Sequence, residues 1–193
     1  YRLLTFPLFH MNLFHIAFNM MALLSLGYML EVKMGTVRLL LTTLLITLPF
    51  MTSIQLVFER VISLVVTSFS NSSSNGGGGG GTYGFSCAVG YSGILFAYMV
   101  ISTKYEPWDR NLFGIFQMSA AVYPWVLLLI TSLLFPGVSF LGHLSGLLSG
   151  YCVLYFVLSR SWFHSVVVAI EKRVPSRLLH IRSYYVSSDM MHE

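Results

Sequence analysis

Residues 137–158 read GVSFLGHLSGLLSGYCVLYFVL, a run without a single Asp, Glu, Lys or Arg and with one ionisable imidazole, His143. A bilayer's hydrocarbon core is about 30 Å thick and takes roughly 20 apolar helical residues to cross, so the run reads as a transmembrane helix. Four more stretches read the same way, at about 9–30, 38–58, 86–103 and 113–134. The whole chain fits: of 193 residues, 55% are hydrophobic and 9% charged, and mean hydropathy is +0.74. An ordinary soluble domain carries roughly 25% charged residues. The fold class is therefore an all-α polytopic transmembrane bundle. A net charge of +4 spread over eleven cations is too thin for a nucleic-acid face. Two cysteines, Cys87 and Cys152, both in apolar stretches, indicate neither a disulfide framework nor a thiolate metal site.

Cations sort the connections, because cytoplasmic loops collect Lys and Arg. Lys33, Arg38, Lys104, Arg110, Arg160, Lys172, Arg173, Arg177 and Arg182 fall on one side, against Arg2 and Arg60 on the other. That places the basic tail, 159–193, in the cytoplasm and the loop near 59–85 on the opposite face. Within that loop, residues 68–82 form a Ser/Asn/Gly segment with too little apolar area to offset its ordering entropy, which predicts a flexible loop. It contains Asn71-Ser72-Ser73, a glycosylation pattern on the permitted side. An interfacial helix is expected around 162–173. The sequence opens at Tyr1 with no basic segment leading into an apolar run, so no signal peptide is read and further upstream sequence is expected.

Polar groups inside the spans are costly and mark function. His15 and Asn19 are four apart and share a helix face, with His10 expected to point away from both. Span three carries Gly90-Tyr91-Ser92-Gly93; span five carries Gly142-His143-Leu144-Ser145-Gly146, with Gly150 a turn later. Counted inward from the same face, Ser92, His143 and His15 all lie about six residues deep, roughly 9 Å. Gly90, Gly93, Gly146 and Gly150 strip side chains from spans three and five, which allows close approach. Helix packing alone would also explain these glycines, and an interhelical hydrogen-bond clamp would explain His15 and Asn19.

Three chemistries can cut a peptide bond inside a membrane. A His-Glu-x-x-His zinc site is absent, since His10 and His15 are five apart with no Glu between them. No span contains an Asp, which excludes a carboxylate pair. A Ser–His dyad remains, with Ser92 as nucleophile and His143 as base. The Ser92 backbone N–H, His15 and Asn19 would then meet the oxyanion. Such chemistry needs no cofactor and no metal. A channel or transporter would instead need acidic or ion-pairing groups along a path, and none is seen.

The series Leu-Phe-His10-x4-His15-x3-Asn19, then Gly27, Glu31 and Gly35, Gly90-Tyr91-Ser92-Gly93 and Gly142-His143-Leu144-x-Gly146-x3-Gly150 resembles the rhomboid intramembrane serine proteases. The resemblance covers residues 1–158 and implies a six-helix core, here lacking its first helix. It implies an endopeptidase whose partners are single-pass transmembrane substrates and the bilayer. It assigns Ser92 and His143 as the dyad, His15 and Asn19 to the oxyanion site, and Arg2, His10 and Glu31 to structural roles. Phe96 stands where many members carry a Tyr stacked on the catalytic His. The glycine run and Ser86-Cys87-Ala88-Val89 resemble small eukaryotic endomembrane rhomboids, which implies a Golgi or endoplasmic reticulum location. A catalytically silent, client-binding rhomboid-like protein is the alternative.

Overall fold

The computed structural model describes residues 5–10, 12–73, 90–112, 114–135 and 138–175. Arg2 and the glycines at 76–81 lie outside the described residues.

Helix α1 runs Leu13–Met34, a few residues later than the predicted 9–30. Asn12 is its N-cap, extended at φ −159, and its side chain accepts from the His15 N–H at 2.8 Å. Within α1 the segment Leu23–Gly27 widens to a π-helical turn. Gly35 ends the helix at φ +88, with its N–H on the Glu31 carbonyl at 2.8 Å. Only glycine takes that backbone cheaply. Helix α2 starts at once, as Thr36–Leu41, a π-helical segment Thr42–Thr47 and a long run Leu48–Ser73. It exceeds the predicted 38–58, and residues 68–73, expected in the flexible loop, are helical. Asn71 therefore lies in the last turns of a helix; its side chain is outside the described residues. Leu13, Phe14, Leu24, Leu45 and Leu64 on α1 and α2 are each more than three-fifths exposed. Such apolar surface suits lipid and not water.

Helix α3, Ser92–Tyr105, is short but central, with every residue from Gly93 to Ser102 buried. A helix apolar all round belongs inside a bundle. The stretch predicted as one span at 113–134 divides. A hairpin of β1, Arg110–Leu112, and β2, Phe116–Met118, pairs Arg110 with Met118 and Leu112 with Phe116. Its turn includes Gly114 at φ +73. Helix α4 occupies only Tyr123–Leu134, entered through Pro124. At 1.5 Å per residue it is about 18 Å long, short of the hydrocarbon thickness. Helix α5, Phe140–Phe156, is followed after a 93° bend by α6, Ser161–Glu171, where an interfacial helix was expected. By length and apolarity α1 and α2 can each cross a bilayer, and α5 with α6 makes a third only if the bend is counted within one span.

The core is the α3–α5 contact flanked by α1 and α2. Leu30, Met34, Met51, Ile94, Ile101 and Val153 are almost wholly buried there. Val37, Val157, Phe163 and Val167 form a separate cluster that seats α6 on the start of α2.

Candidate active site

Ser92 and His143 come together because α3 and α5 run parallel and meet near their N-terminal ends. The glycines set the register. A methyl carbon built on Gly146 would sit 2.0 Å from the Gly93 carbonyl oxygen, and one on Gly150 would sit 2.8 Å from that of Ala97. The two contacts are one helical turn apart on each helix, so backbone meets backbone with nothing between them. Ser139 caps α5, its Oγ accepting from the Gly142 N–H at 3.1 Å, and holds the turn that carries His143. Across this seam, Ser92 Oγ lies 2.8 Å from His143 Nε2.

A serine hydroxyl donating to Nε2 leaves the imidazole proton on Nδ1. His143 is 5% exposed, and its Nδ1 has no hydrogen-bond partner among the described residues. The imidazole is oriented by a ring: Phe96 packs on it with centroids 4.5 Å apart and planes inclined by 32°. The Ser92–His143 pair is thus flanked by a packed aromatic ring.

On the other side of Ser92 the chain is wedged against α1. Gly90 has φ +108, and a side-chain carbon there would lie 2.6 Å from His15 Cε1, 2.9 Å from His15 Nε2 and 3.4 Å from Asn19 Nδ2. His15 and Asn19 thus share a face, and both reach the turn that leads into Ser92. His15 Nε2 and Asn19 Nδ2 are buried and lack hydrogen-bond partners among the described residues. Buried polar groups are ordinarily paired, so two such groups beside Ser92 without a partner among the described residues are an arrangement open to an acceptor. Ser92 also opens α3, where the first backbone N–H groups have no partner within the helix.

The other predicted residues have varied places. Gly93 faces Met51 and the Gly142 carbonyl, so the closeness extends to α2. Glu31 Oε1 accepts from Thr36 Oγ1 at 2.7 Å, bridging the Gly35 break between α1 and α2. His10 corrects an expectation: its ring meets that of His15 edge-on, with centroids 5.2 Å apart, and does not point away from it. Because α1 begins only at Leu13, His10 lies on non-helical chain that folds over the helix start, and helical spacing does not govern it. Arg2 lies outside the described residues.

Residues that the sequence reading passed over also surround the site. Tyr91 and Tyr98 bring their hydroxyls to 3.3 Å, and Tyr98 Oη is 2.7 Å from Thr43 Oγ1. Tyr91 entered the sequence reading only as part of Gly90-Tyr91-Ser92-Gly93 and without a role of its own, and the one signal linking it to Tyr98 is a spacing of seven.

Known proteins give the same picture at the level of family. A family model for the rhomboid domain matches residues 1–160. The chain is 37% identical over 172 residues to Rhomboid-like protein 15 of Arabidopsis thaliana, covering 86% of this chain and 40% of that protein. It is 32% identical over 150 residues to human Rhomboid-related protein 4, covering 77% and 43%. With Rhomboid-type serine protease 2 of Gibberella zeae it shares 31% over 151 residues, covering 78% and 50%. The chain thus spans half or less of the length of these relatives. No solved structure matches it. With a domain model matching residues 1–160, from the N-terminus through α5, and relatives matching across most of the chain, this chain belongs to the rhomboid family.

Proposed function

We propose that the chain carries the catalytic core of an intramembrane serine endopeptidase acting on single-pass transmembrane proteins. The observation behind this reading is the 2.8 Å approach of Ser92 Oγ to His143 Nε2, made across a helix seam too tight for any side chain. In the mechanism, Ser92 Oγ attacks the scissile carbonyl carbon as its proton passes to His143 Nε2. The developing oxyanion takes hydrogen bonds from the Ser92 backbone N–H and from His15 and Asn19, whose Nε2 and Nδ2 are buried and have no partner among the described residues. His143 then returns the proton to the departing amine, leaving an ester on Ser92. A water deprotonated by His143 hydrolyses that ester and restores the dyad.

Substrates on this reading are transmembrane helices with small or helix-destabilising residues, because the scissile bond must give up its helical hydrogen bonds to enter the site. The distribution of cations supports a cytoplasmic C-terminal tail and a site opening to the other face. An endomembrane location, Golgi or endoplasmic reticulum, rests on the resemblance of the glycine run and Ser86-Cys87-Ala88-Val89 to endomembrane rhomboids. The test co-expresses the full-length protein with a tagged single-pass substrate and compares wild type, Ser92→Ala and His143→Ala. Loss of cleavage in both variants is expected. Unchanged cleavage in both would sink the dyad, and substrate capture without cleavage by wild type would favour the client-binding alternative.

A further inference from the structure

Tyr91 immediately precedes Ser92 and is the N-cap of α3, yet its side chain makes no capping bond to the helix. It turns instead along α3 to Tyr98, two turns on; the rings are edge-on, with centroids 6.4 Å apart. Tyr98 is 3% exposed, and its hydroxyl continues to Thr43 on α2, itself 3% exposed. Thr43 Oγ1 donates its single proton to the Leu39 carbonyl at 2.8 Å. That assignment fixes the direction of the chain. A threonine hydroxyl has one proton, so Tyr98 must donate to Thr43, and with its own proton committed Tyr98 can only accept from Tyr91. Three hydroxyls therefore run one way, from the residue before the nucleophile to a backbone carbonyl of α2.

Both π-helical segments meet this chain. Thr43 belongs to Thr42–Thr47 of α2, and Gly27, which closes Leu23–Gly27 of α1, has the Tyr98 ring 3.9 Å from where a methyl carbon would stand. Widened turns are uncommon and concentrate at functional sites. Here one carries Thr43, the last hydroxyl of the chain, and the other supplies the bare surface under the Tyr98 ring. The turn before Ser92 is thus held from two sides: Gly90 pressed on His15 and Asn19, and Tyr91 tied through Tyr98 to α2. A nucleophile must be fixed to within a fraction of an ångström of its base for efficient transfer, and this tie is the one that reaches α2.

We propose that Tyr91, Tyr98 and Thr43 are positioning residues that hold Ser92 in register with His143 by a directed chain of hydroxyls. The proposal rests on the protease reading. Its test uses the full-length protein in detergent or nanodiscs, with the rate of Ser92 labelling by a fluorophosphonate, kcat and KM on a transmembrane substrate, and thermal unfolding of each variant. Tyr98→Phe, Tyr91→Phe and the isosteric Thr43→Val should each lower labelling rate and kcat about tenfold, with KM within about twofold. Thr43→Ser, which keeps the hydroxyl, should stay near wild type. The double variant Tyr91→Phe with Tyr98→Phe should be no slower than either single one, because one break already severs the chain. Wild-type labelling rates in folded Tyr98→Phe and Tyr91→Phe overturn the proposal, as does a lowered Tm without any change in kcat. A wild-type protein that neither labels at Ser92 nor cleaves refutes the protease reading and the proposal with it, whereas active wild type with indifferent variants refutes the relay alone.

Discussion

Replacing Gly146 with alanine tests the seam on which the site depends. The new methyl carbon would stand 2.0 Å from the carbonyl oxygen of Gly93, 2.6 Å from its carbonyl carbon and 2.8 Å from its Cα. All three are backbone atoms inside a helix, so no side chain can swing away. Relieving the closest contact to an ordinary 3.4 Å requires α3 and α5 to part by about 1.4 Å. Transmitted to the dyad, that movement stretches the 2.8 Å approach of Ser92 to His143 to about 4.2 Å, beyond hydrogen-bonding reach. Misplacement on this scale costs about 100-fold in rate, and overpacking a tight core costs about 1–3 kcal/mol of stability. The assay is fluorophosphonate labelling of Ser92 per folded molecule, beside thermal unfolding in the same detergent. Gly114→Ala is the control, since no atom lies within 4 Å of the position its methyl would take and its cost is confined to a positive φ in the hairpin. Labelling of folded Gly146→Ala at the wild-type rate would show that the glycine seam does not set the dyad distance.

Two other perturbations probe the remaining supports. Gly90→Ala places a carbon 2.6 Å from His15 Cε1 on a backbone at φ +108, so strain of about 1–3 kcal/mol joins displacement of His15. Cleavage should fall at least tenfold, and a wild-type kcat would show that the turn does not need its contact with His15. The second concerns α6. Arg38 on α2 can only donate, so His164 Nδ1 must accept, and the imidazole in that contact is neutral. Burial first, then the Arg38 charge, hold His164 below its ordinary value, with Glu171 opposing. The unfolded chain therefore binds this proton more readily than the folded one. The contribution is complete above about pH 6.5 and is lost as pH falls below it. Hydrogen-exchange protection of residues 161–171 should drop from pH 7.5 to 5.5 in wild type and hold steady in His164→Gln; an equal drop in both refutes the assignment.

The sequence located the Ser92–His143 pair because two kinds of signal agreed. One was depth, counted along apolar runs; the other was the run of glycines on both spans. The glycine spacing depends on helical periodicity, which α3 and α5 obey. The depth count of six residues does not hold as made, because α3 begins at Ser92 itself and α5 at Phe140; it pointed to the pair only because both residues lie in the first turn of their helices. Where periodicity fails, so does the reading. His10 was misplaced because it precedes the Asn12 cap, and the segment 113–134 was read as one span because hydropathy averages over a hairpin as readily as over a helix. The π-helical turns at Leu23–Gly27 and Thr42–Thr47 were invisible, since no residue type or spacing in LLSLG or TTLLIT distinguishes a widened turn from an α-helical one. Thr43 and Tyr98 were passed over for that reason: a threonine in an apolar span ordinarily bonds its own helix, and Thr43 does so while also accepting from across the bundle.

The errors in span boundaries left the site intact for a physical reason. Depth matters at a helix N-terminus, and both functional helices begin at residues that cannot slide: α3 at the left-handed Gly90 and the tied Tyr91, α5 at the Ser139 cap. From there the register is set by contacts of Gly146 with Gly93 and Gly150 with Ala97, not by helix length. Shortening or lengthening either helix at its far end leaves these contacts unchanged. The far end can therefore carry the hairpin after α3 and the bent α6 after α5 without moving Ser92 from His143. On this account, a change at Trp108 or Trp162 alters local packing and leaves the dyad distance at 2.8 Å, whereas one methyl group at Gly146 does not.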